Sequence, residues 1–162
     1  MRIIGLDPGL EHTGYGVIEV RGNAYTFIAA GRITTKTTLP LPQRLAVLAT
    51  GLNAIVAEYR PEAAAVEEVF VNKNMQSSLK LAQARAVALL IPTQQNVPVF
   101  EYAARLVKQS LVGKGNAEKP QVAHMVGVLL PTSRTQKLAA DASDALAVAL
   151  THAHHMGRIG LG

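Results

Sequence analysis

Four acidic residues, Asp7, Glu67, Asp141 and Asp144, stand where carboxylates could support phosphoryl-transfer chemistry. Asp7 closes a short apolar run, Arg2–Leu6, just before Pro8-Gly9. Glu67 lies near the end of a second apolar run, Ala63–Val69, beside Glu68. Alternation along a strand sends these two neighbours to opposite faces, so one can point into a site while the other is solvated. Asp141 and Asp144 are three residues apart at the start of a helical segment, a spacing that sets both on one helical face. Carboxylates converging on one point suit hard divalent cations such as Mg²⁺, and two such ions can clamp the attacking and leaving oxygens of a phosphodiester displacement. Unpaired, the same carboxylates repel, so a cation is their natural neutraliser. Each acid alone has a plainer role open to it. Asp7 can initiate a turn, Glu67 can protect an edge strand, and the Asp pair can cap a helix and complement its dipole. Whether the four converge depends on the fold.

The elements that must position them are legible from periodicity. Arg2–Leu6, Tyr15–Val20 and Tyr25–Ile33 read as three strands of an antiparallel meander, the last two joined by the turn-like Arg21-Gly22-Asn23. Pro40 and Pro42 introduce a helix with Leu45, Leu48, Leu52, Ile55 and Val56 at helical spacing, stopped by Arg60-Pro61. Ala63–Val69 reads as a strand that can pair in parallel with the first through this helical crossover, bringing Asp7 and Glu67 side by side at the carboxyl ends, where open α/β sheets place their sites. A second helix is expected over Met75–Ile91, ending before Pro92, then a strand at Val97–Glu101 and helices over Ala103–Leu111, Glu118–Leu130 and Ala140–His154. The fold class is therefore α/β with a mixed sheet flanked by helices, as one domain over residues 1–162. Leu79, Ala82, Ala86 and Leu90 form an apolar stripe on the second helix, suited either to a partner copy or to the chain's own sheet.

Charge separates along the chain. Residues 70–137 carry nine Lys/Arg against two acids, whereas the flanking segments hold the remaining acids, within a formal net charge of +5. That division suits a polyanion-binding surface beside an acidic pocket, and equally suits solvated basic helices. The absence of Cys excludes disulfides and thiolate metal sites and fits a reducing cytoplasm. No apolar run reaches membrane-spanning length, and the N-terminus shows no signal-peptide pattern, so no membrane association is expected. Gly113-Lys114-Gly115 lacks the spacing of a nucleotide-binding P-loop. His124 sits within an apolar helix and reads as structural. His152, His154 and His155 suit the negative end of a helix, and no pair of them has the i,i+4 spacing that favours shared metal ligation.

GLDPGLEHTGYGVI, AVEEVFVNKNMQSSLKLAQARAVAL, PVFEYAARLVKQSLVGKGNAEKPQV and AADASDALAVALTHAHH occur in this order over almost the whole chain, and together they resemble the RuvC family. The resemblance implies an RNase H-like fold with a five-stranded mixed sheet. It implies a homodimer that binds a Holliday junction, a four-way DNA junction, and makes two symmetric nicks with Mg²⁺, for which Mn²⁺ can substitute, in homologous recombination and DNA repair. It assigns catalysis and metal binding to Asp7, Glu67, Asp141 and Asp144, and DNA contacts to Lys108, Lys119 and Phe70. The helix containing NMQSSLKLAQARAVALL is similar to the family's dimerisation helix, and a RuvA- and RuvB-type branch-migration motor is the expected partner. Pro120 follows Lys119 where the family pattern has Ser, and proline is compatible with a first helical turn. Some relatives carry His where this chain has Asp141. Two other classes share parts of the pattern. An architectural DNA-binding module would need the basic surface and not the four acids. An actin- or sugar-kinase-type nucleotide binder would need a second domain that a chain of 162 residues is too short to supply.

Overall fold

The computed structural model describes the backbone of residues 1–68 and 73–159. Phe70 lies outside the described residues. The elements are β1 (Arg2–Asp7), β2 (His12–Arg21), β3 (Ala24–Thr34), α1 (Leu41–Tyr59), β4 (Ala63–Glu67), α2 (Met75–Gln94), β5 (Val99–Tyr102), α3 (Ala104–Val112), α4 (Lys119–Leu129), a 3₁₀ turn (Pro131–Thr135) and α5 (Ala140–Ile159). The five strands lie in the order β3-β2-β1-β4-β5, with β1 antiparallel to β2 and parallel to β4, and β4 parallel to β5. The meander, the parallel crossover and the mixed sheet thus follow the apolar patterning.

Alternation divides each strand between two packed layers. Ile4, Leu6, Val17, Ala64 and Val66 pack against α1 and α2 through Leu48, Leu52, Val56, Ala84, Ala88 and Ile91. Ile3, Ile18 and Ala65 face α3, α4 and α5 and meet Val107, Leu111, Val122, Val126, Leu146 and Leu150. Each fully buried Leu or Ile contributes roughly 1.5–3 kcal/mol from burial. Asp7 and Glu67, in step with Ile3 and Ala65, belong to the α5 layer.

Glycines set how closely α5 approaches. A Cβ on Gly5 would fall on the Ala145 carbonyl, one on Gly14 on the Asp141 carbonyl, and one on Gly16 against Leu146. Only a side-chain-free strand surface allows that backbone contact, which brings the first turn of α5 down beside Asp7.

Several boundaries differ from the sequence reading. The second helix does not end before Pro92 but continues to Gln94. Pro92 lies in the last turn, where the bond its missing N–H forfeits is one near a helix end, and its own carbonyl accepts from the Val97 N–H at 2.9 Å. The fifth strand starts at Val99 rather than Val97, because Pro98 has no N–H for the ladder, although its carbonyl accepts from the Ala64 N–H at 2.9 Å. The fourth strand ends at Glu67. Pro120 lies in the first turn of α4 and leaves Lys119 at its start, where Glu118 and Gln121 form a reciprocal capping box. His124 is exposed rather than packed. Helix α4 turns Val122 and Val126 inward at i,i+4, and the residue midway between them points the other way. On α2, Ala84, Ala88 and Ile91 are buried against the sheet, whereas Leu79 is 61% and Leu90 51% exposed, with Ala82 and Ala86 also exposed. The stripe therefore does not pack on its own sheet.

Candidate active site

Asp7, Glu67 and Asp144 line one cleft of about 140 Å³ together with Lys108 and Lys119, and Ala104, Val107, Val122 and Ala147 complete its wall. The parallel register pairs Leu6 with Val66, so the next step along both strands sets Asp7 and Glu67 abreast at their carboxyl ends. Asp144 comes from the second turn of α5, Lys108 from α3 and Lys119 from the start of α4.

The electrostatics are those of a crowded acidic pocket. Burial, reinforced by Glu67, Asp144 and Asp141, pushes the Asp7 carboxyl up to about 7, with Lys119 opposing. Burial and then Asp144 push Glu67 upward, while Lys119 and Lys108 pull it back. Neither carboxylate accepts a hydrogen bond among the described residues. The Lys119 ammonium donates to Asp144 Oδ2 at 3.4 Å and is raised chiefly by that charge. Its side chain remains 80% exposed, so this pair is weak and exchangeable.

Asp141 stands apart. Its Oδ2 accepts from Arg32 Nη1 at 3.4 Å, and it is not among the residues lining the cleft, although its charge still raises Asp7. Among the described residues no three carboxylates already converge closely enough to hold one ion. Arg32 is a neighbour of the acids that the sequence reading missed. The pairing of β2 with β3 sets it opposite Gly14, which in turn lies opposite Asp7.

The histidines near the end of α5 have separate partners. His152 is buried with its Nδ1 2.7 Å from the Tyr102 hydroxyl, His154 Nδ1 lies 3.0 Å from Ser110 Oγ, and His155 Nδ1 lies 3.0 Å from the Thr151 carbonyl.

The profile of the family described as crossover junction endodeoxyribonuclease RuvC matches residues 3–152. The chain belongs to the RuvC family. The protein of that name from Xanthobacter autotrophicus is 54% identical over 157 residues, covering 97% of this chain and 92% of the relative. Its namesake in Methylorubrum extorquens is 51% identical over 161 residues, covering 99% and 84%. Among solved structures, Thermus thermophilus RuvC in complex with Holliday junction substrate superposes with a TM-score of 0.90 at 34% identity, over 99% of this chain and 96% of that one. The fowlpox virus Holliday junction resolvase shares the fold, with a TM-score of 0.61 at 11% identity over 96% of this chain and 99% of that one. The RuvC family member described here thus has the RNase H-like architecture its motifs implied, with its two-strand, one-helix acid arrangement on the α5 face.

Proposed function

We propose that the chain is a Holliday junction resolvase: a single-domain, structure-specific endonuclease that hydrolyses phosphodiester bonds in two symmetric strands of a four-way junction. The observation that carries this reading is the cleft in which Asp7, Glu67 and Asp144 meet Lys108 and Lys119, in a chain that matches the RuvC family from residue 3 to residue 152.

The residues fit divalent cations. All the donors are hard carboxylate oxygens, and Asp7 and Glu67 are both pushed upward by burial and like charge, as expected where positive charge is in deficit. Asp7, Glu67 and Asp144 would hold Mg²⁺, with Mn²⁺ as a substitute, and Asp141 would join on leaving Arg32. Bound there, two ions would stabilise the charge that develops on the phosphoryl group and on the departing oxygen. The protein's own part is placement. Strand ends fix Asp7 and Glu67 rigidly, Val107, Val122 and Ala147 wall the cleft, and Lys108 and Lys119 hold the phosphate as point charges. Phe70, three residues beyond Glu67 in the sequence, is proposed to act on a base near the crossover.

Two such sites match the two-fold symmetry of a junction if the chain forms a C₂ homodimer. The exposed stripe Leu79, Ala82, Ala86 and Leu90 on α2, continued by Met75 at 76% exposure, is the proposed interface. A RuvA- and RuvB-type motor is the proposed partner, in the cytoplasm and in recombination and repair. No helix among the described residues is long and apolar enough to cross a membrane.

The test is incubation with a synthetic four-way junction and Mg²⁺. Paired nicks at symmetric positions are expected. Asp7→Asn, Glu67→Gln, Asp141→Asn and Asp144→Asn should each nearly abolish them while leaving junction binding intact or stronger, since binding is driven by phosphates. Near-normal cutting by Asp7→Asn refutes the site assignment.

A further inference from the structure

At the level of the acids the sheet presents one row of side chains. Gly14 pairs with Asp7 on one side and with Arg32 on the other, and directly opposed residues share a face. Gly14 leaves a gap in that row, and the first turn of α5 fills it with Asp141. Arg32 therefore stands on the far side of the acids from Lys108 and Lys119. Its single polar contact among the described residues is the 3.4 Å pair with Asp141, and its side chain is 44% exposed. A guanidinium has five donors in a planar fork suited to phosphate, and most of those of Arg32 are left to solvent. Ion pairs this exposed contribute little to stability, so this one is poorly explained as a structural brace.

We propose that Arg32 is a substrate-positioning residue that binds a DNA backbone phosphate on the β3 side of the cleft, and that its pairing with Asp141 is the arrangement adopted when no DNA is bound. This rests on the reading of the chain as a junction nuclease. A strand lying across the acids would then be held on both flanks, by Lys108 and Lys119 on the side of α3 and α4 and by Arg32 on the side of β3. Moving the guanidinium to a phosphate also frees the Asp141 carboxylate, so substrate binding and completion of the acidic set are coupled.

The experiment measures binding of a synthetic four-way junction against salt concentration in the presence of a chelator, so that the DNA stays intact. One lost phosphate contact lowers the log–log salt slope by about 0.9, so the affinity advantage of wild type over R32A should shrink about 3.5-fold between roughly 50 and 200 mM salt. R32K should keep most of the slope. R32Q, which retains a donor for Asp141 without the charge, should lose as much slope as R32A, separating charge from local structure. D141N should raise junction affinity more in a chain that retains Arg32 than in one that also carries R32A, because only the former has a guanidinium to release. If R32A and R32Q leave slope and affinity unchanged while Lys119→Ala lowers both, the Arg32 assignment is wrong and the nuclease reading stands. If Lys119→Ala has no effect either, the groove itself is misplaced and both readings fall. Equal effects of D141N in the two backgrounds overturn the proposed exchange.

Discussion

Replacing Asp7 by Asn should make the metal-free protein more stable, and the gain should grow as pH rises from about 4 to about 7. An ordinary aspartate releases its proton near 3.8, whereas burial and three neighbouring carboxylates move Asp7 to about 7. Between those values the folded chain holds a proton that the unfolded chain has lost, so stability falls as pH rises through that window and is lowest above it. Each pH unit of displacement is worth about 1.4 kcal/mol, which gives on the order of 4 kcal/mol at pH 8. Part of that cost is shared with Glu67, so this is the upper end of the expected gain. Asn is neutral throughout and escapes it. Urea unfolding with a chelator should therefore show the two proteins equal near pH 4, and Asp7→Asn more stable at pH 8. In thermal melts the difference should be roughly 2–4 °C per kcal/mol for a chain of this size. Divalent cation at about ten times its Kd should recover about 1.4 kcal/mol in wild type and much less in the variant. Equal stability at pH 8, or a gain that is the same at pH 4, would falsify the claim that the acids are held together against their own repulsion.

Three other outcomes are expected. Lys108→Ala should lower the salt slope of junction binding by about 0.9, read by titration at several ionic strengths. Gly14→Ala should destabilise the fold by about 1–3 kcal/mol or more, because its Cβ falls on the Asp141 carbonyl, and should cost cleavage out of proportion to junction binding by displacing the first turn of α5. Leu79→Glu, at an exposed position of α2, should leave the melting temperature of the separated monomer near wild type and shift sedimentation from dimer to monomer, with paired nicking replaced by single nicks.

The strand ends carrying Asp7 and Glu67 were legible because two apolar runs joined by a long helical crossover have few topologies open to them. That Asp141 and Asp144 share one face of α5 was legible from their three-residue spacing. Periodicity assigns faces, however, and it does not assign register between strands, which is why Arg32 was missed. Counting back from the turn that pairs Arg21 with Ala24 would set Gly14 against Gly31 and send Arg32 to the opposite face. The irregularity between Val17 and Ile18 inserts one residue and sets Gly14 against Arg32 instead. Nor does local propensity show that a proline such as Pro92 can sit in a last helical turn, where the surrounding packing decides. Asp141 illustrates the other limit. Its sequence spacing from Asp144 places both on one face of α5, but a neighbouring cation from a distant strand determines where its carboxylate rests.

The same bulge and the same glycine explain why the site can be both rigid and exchangeable. Gly14 lets the backbone of α5 lie directly on the sheet, so the positions from which Asp141 and Asp144 project are fixed by contacts between main chains and by buried Ala145 and Leu146. The cations that balance these acids are held differently. Arg32 and Lys119 each reach their carboxylate at 3.4 Å, on side chains 44% and 80% exposed, where an ion pair is worth at most about 1 kcal/mol. A DNA phosphate or a divalent ion competes with such a pair at little cost, whereas moving the acids would require unpacking α5. The fold thus spends its packing on holding like charges near one another and leaves their neutralisation to groups that can be exchanged, an arrangement that gives a metal-dependent phosphodiesterase a preformed acidic framework before its substrate arrives.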